Sequence, residues 1–126
     1  MEVIAFPDVE AFAVTYLRSK ITGATVATRV PTTMPAQMVR VSRAGGAARD
    51  LVTDSALLLV ECWAVSSVAA SELARLCRAH LLAAARASNL VTKVVDVSGT
   101  VSLPDPATNN PRYQFTVELH MRGSAI

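Results

Sequence analysis

The stretch RYQFTVELHMRG, residues 112–123, decides the fold class. Tyr113, Phe115, Val117, Leu119 and Met121 alternate with Arg112, Gln114, Thr116, Glu118, His120 and Arg122. Successive side chains of an extended chain point to opposite sides, so this period of two builds a strand with one apolar and one polar face. A strand with one wet face belongs to an antiparallel sheet, because parallel sheets are covered on both sides. His120, beside Glu118 on the polar face, is expected to be solvated.

Working back along the chain, LVTKVVDVSGTVSLPDP (residues 90–106) supplies the partner strand. There Val95, Val97, Gly99, Val101 and Leu103 alternate with Asp96, Ser98, Thr100 and Ser102. The segment Leu103 to Arg112, rich in Pro and Asn, reads as the surface turn joining the two strands. DSALLLVECWA (54–64) is apolar on both sides over Ala56 to Val60, which predicts a central strand covered on at least part of both faces. QMVRVSR (37–43) alternates again, with Val39 and Val41 opposite Arg40 and Ser42, and the Gly45-Gly46 pair after it is expected to turn the chain into a hairpin. ATVATRVPTTMPAQ (24–37) is cut by Pro31 and Pro35, which confine it to an edge strand or a loop.

Two segments have the helical period instead. Pro7 and Asp8 form a helix start, and Val9, Phe12, Ala13, Tyr16 and Leu17 follow as an apolar stripe that ends at Gly23. SSVAASELARLCRAHLLAAARAS (66–88) reads as one long helix with Ser66 or Ser67 as N-cap and Asn89 as its stop. Leu73, Leu76, Cys77, His80, Leu81 and Ala84 fall within one arc, and Arg75, Arg78 and Arg86 lie opposite. The order predicts an α+β fold: a mainly antiparallel sheet with an N-terminal helix and one long helix packed on one face, in a single domain over residues 1–126.

Composition narrows the function. The chain has 126 residues, of which 52% are hydrophobic, so it can bury a real core and is not disordered. Aromatic residues make up only 5%, a lean supply for a small-molecule pocket. Twelve basic residues against 10 acidic ones give a formal net charge of +2, and the basic residues are spread singly along both halves. Duplex-binding domains concentrate their positive charge, so nucleic acid is disfavoured as the main ligand. Cys62 and Cys77 read as buried free thiols, with no CxxC or Cys/His cluster to hold zinc. The start MEVIAFPDVEAF lacks the character of a secretory signal, and no apolar run is long enough to span a bilayer, so a soluble protein of a reducing cytoplasm is expected.

The search for chemistry returns little. His80 lies on the apolar face of the long helix and reads as a satisfied, partly buried side chain. Glu61 stands out because it sits in the most hydrophobic strand, where a carboxylate is costly unless paired. It reads either as a carboxyl with a raised pKa or, the favoured reading, as the partner of an arginine across the sheet or across a subunit boundary. The Gly-Gly pair does not make a phosphate loop, since GxxxxGK[ST] between strand and helix is absent. No catalytic, cofactor-binding or metal-binding residue is assigned, and the expectation is that the chain is not an enzyme.

Taken in order, MPAQMVRVSRAGG (34–46), RDLVTDSALLLVECWA (49–64), SELARLCRAHLLAA (71–84) and VSGTVSLPDPATNNPRYQFTVELHMRG (97–123) make up something more specific. The succession is Pro-x-x-x-Val-Arg-Val with a Gly-Gly pair, an Asp before an apolar strand ending Trp-Ala, an alanine-rich helix, and Pro-Asp-Pro ahead of Pro-Arg-Tyr. It resembles the small tail terminator proteins of long-tailed bacteriophages, also called tail completion or minor tail proteins, particularly those of phages infecting actinobacteria. Each motif alone is weakly specific, and the combination carries the likeness.

The resemblance implies a ring, usually of six copies, that caps the completed tail tube at the head-proximal end of the virion. Its partners would be further copies of itself, the tail tube protein and the head–tail connector, with genomic DNA only as cargo through the lumen and no membrane. No cofactor is implied. A subunit interface is expected at strand edges or on the arginine side of the long helix. The other readings are another neck or tail ring protein (a head-completion protein or the tube subunit), a small cytoplasmic enzyme using Glu61, His80 or His120, and a nucleic-acid binder. The interface candidates are Arg40, Arg43, Arg49, Asp50, Asp54, Arg75, Arg78, Arg86 and Arg112. Among them, Arg43, Arg49, Asp50 and Asp54 are expected to crowd an exposed hairpin tip, where both signs of charge would fix the register of a protein neighbour.

Overall fold

The computed structural model describes residues 2–126. The elements run β1 (Ile4–Ala5), α1 (Val9–Lys20), β2 (Thr25–Ala27), β3 (Met38–Ala48), β4 (Thr53–Trp63), α2 (Ser67–Leu82), α3 (Ala84–Ala87), β5 (Val91–Ser102), β6 (Arg112–Arg122) and β7 (Ser124–Ala125). Five strands form one sheet in the order β2-β3-β4-β6-β5, antiparallel throughout except for the β2–β3 pair. This is the expected α+β class, with β4 at the centre and the proline-limited β2 at an edge. β1 and β7 pair separately.

The alternation of β6 translates directly into burial. Phe115, Val117, Leu119 and Met121 lie in the core beside Leu58 and Val60 of β4 and Val39 and Val41 of β3. Both long helices cover this one face, and a single apolar cluster joins them to it. Asp8 caps α1 by accepting a hydrogen bond from the Ala11 amide, and Ser66 caps α2 by accepting one from Ala69. The opposite face of the sheet carries Arg40, Ser42, Leu57, Leu59, Glu61, Thr116 and Glu118, and no helix lies over it. Leu57 and Leu59 are therefore only half-buried, although the apolar run in β4 suggested cover on both sides.

Three expectations are corrected. Gly45 and Gly46 do not form the hairpin turn: β3 continues through them to Ala48, with a register shift between Arg43 and Gly45, and the chain reverses at residues 49–52. Gly46 is needed for another reason. Its φ is +90°, and a Cβ there would run into the Ser55 carbonyl and lie 2.9 Å from the Leu57 amide nitrogen. The long helix breaks at Ala83, which places Arg86 on the short α3, and Leu76 points outward while Ala70 and Ala74 take core positions. The valine alternation of β5 does not survive folding: register shifts at 91/93, 96/98 and 98/101 rotate side chains between faces, and Val97 and Val101 are exposed. Among the described residues, no helix is long and apolar enough to cross a membrane.

Candidate functional site

Of the nine candidate residues, Arg40 and Arg112 are brought together on the open face of the sheet. Glu61 stands opposite Arg40 in the β3–β4 register, and its residue is only 6% exposed. It accepts a 3.0 Å hydrogen bond from Arg112 Nη1 and lies 3.6 Å from Arg40 Nη1. The favoured expectation for Glu61, an arginine partner across the sheet, holds twice over within one chain. Arg112 also donates to the Leu103 carbonyl at 2.8 Å, and its guanidinium sits 5.7 Å from the centre of the Trp63 ring. Trp63 Nε1 donates to Asp105 at 3.1 Å, tying the 103–111 loop to the end of the central strand. The Ala107 amide, and then Trp63, hold the Asp105 carboxyl below its usual range. Arg40 Nε is buried there without a partner.

Arg43 and Asp54 are also brought together, but as an internal pair. Asp54 lies inside β4 rather than in a turn and is buried. It accepts two hydrogen bonds from Arg43, at 2.7 and 3.0 Å, in the forked geometry that guanidinium and carboxylate share. The Asp54 hydrogen bonds raise the Arg43 pKa. The Arg43 amide donates to Glu10 on α1 at 2.7 Å, so this end of the sheet is pinned to the helix layer. The expectation that Arg43 and Asp54 sit at the hairpin tip is corrected: they lie within β3 and β4, where the exposed Arg43 side chain is tied to the buried Asp54.

Arg49 and Asp50 do sit at the hairpin tip. Asp50 accepts from the Val52 amide at 2.9 Å, which closes the turn and, as the largest cause, lowers its pKa. Arg49 folds back over the sheet, with Nη1 3.4 Å from His120 Nδ1 and Nη2 donating to Thr53 Oγ1 at 3.4 Å. His120 is therefore buried, 6% exposed, and not solvated as its place on the polar face suggested. Its Nε2 lies 2.7 Å from Glu118 Oε1, and a tautomer with the proton on Nε2 satisfies both contacts.

The remaining arginines are not gathered. Arg78 pairs with Asp96 of β5, with Nε donating at 3.2 Å. Arg75 is exposed, and its one hydrogen bond is a 3.4 Å contact to the Ser71 carbonyl of its own helix. Arg86 is exposed on α3. His80 is partly buried, as expected, and its carbonyl accepts from the Tyr16 hydroxyl at 2.7 Å. Cys62 and Cys77 are buried free thiols, and the neighbouring Cys77 thiol, together with burial, pushes the Cys62 thiol well up.

Sequence reasoning missed the apolar end of the hairpin. Leu51 is 87% exposed and Val52 is half-exposed, and with Ile4 and Phe6 they line a cavity of about 480 Å³ rimmed by Glu2 and Asp50. At the other end of β4, Val65 and Val68 are 80% and 68% exposed. None of these four aliphatic residues stands out in the sequence as surface. No family model matches the chain, and no curated protein is similar to it.

Proposed function

We propose that this chain is a structural subunit of a phage tail, forming a ring that caps the completed tail tube and offers the surface to which the head joins. The observation that carries this reading is how the resembling motifs meet. The Val-Arg-Val stretch supplies Arg40, the strand ending Trp-Ala supplies Glu61 and Trp63, Pro-Asp-Pro supplies Asp105, and Pro-Arg-Tyr supplies Arg112. Residues of β3, β4, the 103–111 loop and the start of β6 form one ionic and aromatic cluster at one end of the sheet. The motifs that carry the likeness thus supply side chains that touch one another.

The mechanism is geometric. A head-to-tail interface that does not close propagates without limit, as a tail tube does. A subunit that matches the last tube ring on one surface, and offers tube subunits nothing on the other, ends growth. The purified chain mixed with polymerising tube subunits should shorten the tubes and appear in negative stain as a disc at one end. Unaltered tube length with no terminal disc would overturn the proposal, and long filaments of this chain alone would favour a tube subunit instead.

A further inference from the structure

We infer that copies of this chain join head to tail, the socket at the hairpin tip of one copy receiving the exposed valines at the start of α2 of the next. The socket is the cavity of about 480 Å³ between Ile4 and Phe6 on one side and Leu51 and Val52 on the other. Its lining is apolar apart from two carboxylates, Glu2 and the half-exposed Asp50, which Arg49 approaches to 3.4 Å. The plug has the opposite character. Val65 and Val68 project as bare aliphatic groups either side of the helix cap, and Arg75, two helical turns on from Val68 and so on the same face, lines a shallow depression with Val68, Ser71 and Tyr113. Among the described residues Arg75 has no acidic partner, and Glu72 lies on the flank that faces Ile21 and Leu76. An aliphatic plug with a cation beside it therefore matches an aliphatic socket with an acidic rim.

The two surfaces cannot meet within one copy. They lie at opposite ends of the 11-residue β4, roughly 30 Å apart at the rise of an extended strand. Because plug and socket are different patches, the contact is heterologous, and it gives a ring when the rotation closes. Strand edges are the poorer alternative. β2 offers three residues ahead of Pro31, and β5, though long, is broken by three register shifts that twist an edge away from partners. Closure into a ring rests on the function proposed above; the pairwise contact does not.

Two variants test it, each changing an exposed side chain so that folding is kept, as checked by circular dichroism. Leu51→Asp spoils the socket and leaves the plug, while Val68→Asp spoils the plug and leaves the socket. In sedimentation velocity the unaltered chain should associate with rising concentration and each variant alone should stay monomeric. A 1:1 mixture of the two should give a heterodimer that grows no further, because its one intact plug and one intact socket are used up. Asp50→Arg should weaken association, and adding Arg75→Glu should restore it. The inference is overturned if the unaltered chain stays monomeric, if either variant associates like it, or if the mixture stays monomeric. A dimeric mixture, with the unaltered chain leaving tube length unchanged, would keep this contact and remove the tail reading.

Discussion

Glu61 offers the sharpest test of how the open face is held. Replacing it with Gln keeps the shape and one acceptor for Arg112 but removes the negative charge between two guanidinium groups. Breaking a buried pair by losing one partner costs about 3–5 kcal/mol. Two features reduce this. Arg112 keeps its bonds to the Leu103 carbonyl and its stacking on Trp63, and the glutamine oxygen still accepts a neutral hydrogen bond. Arg40 is 3.6 Å away with a side chain 44% exposed, so its share is that of a surface pair, about 0.5 kcal/mol. The net expectation is about 2 kcal/mol. An unfolding entropy of about 2.1 cal/mol/K per residue over 126 residues turns this into a fall in melting temperature of about 8 °C.

Urea and thermal denaturation of Glu61→Gln, with double-mutant cycles to Arg112→Gln and Arg40→Gln, measure both the total and its division. Coupling to Arg112 should exceed coupling to Arg40. A melting shift below about 2 °C, or a larger coupling to Arg40, would refute the placement of the charge and with it the bracing role of the cluster.

Three further outcomes follow from the same geometry. Gly46→Ala should destabilise by at least about 2 kcal/mol in urea melts, since φ +90° and the Ser55 carbonyl both oppose a side chain, whereas a true turn glycine in open space would lose only the backbone preference. Cys62 and Cys77 should resist alkylation at pH 8 in the native protein and react together once it is unfolded; fast native labelling of either would contradict a thiol pair inside the core. The Asp50 carboxyl is lowered from its ordinary value of 3.8 by the Val52 amide, so its contribution to the tip is fully present above 3.8 and is lost as pH falls through the lowered value. Amide exchange at Val52 should accelerate in acid across that window, and Asp50→Asn should remove the dependence.

The sheet class, the core face of β6, the helix caps at Asp8 and Ser66 and the arginine partnership of Glu61 were legible because each depends on residues close in sequence or on a cost that any environment imposes. The errors share a different cause. A Gly-Gly pair marks positive φ but not whether a turn or a strand bulge uses it; here the closeness of Ser55 and Leu57 on the partner strand decides. The β5 valines alternate in sequence, but their faces are set by where β6 accepts an extra residue. His120 lies on the face its alternation predicts, yet its burial comes from Arg49, 71 positions away, closing over it. Alternation fixes which side a residue faces and is silent on what covers that side.

The same distinction bears on where the proposed interaction surface is sought. Charges near a glycine pair looked like contacts for a partner because sequence shows charge without showing its partner. Once folded, Arg43 is held by Asp54, Arg78 by Asp96, and Arg112 by Glu61, and groups so paired must give up those bonds before engaging a neighbour. Exposed aliphatic groups carry no such cost, and covering them releases the water they order. Leu51 and Val52 at one end of the sheet and Val65 and Val68 at the other are therefore the groups with most to gain from a partner, with Asp50 and Arg75 left to set its orientation. For a protein whose proposed role is to meet its own copies and stop a tube, affinity placed at the two ends of the central strand and specificity in one exposed charge beside each is a consistent division.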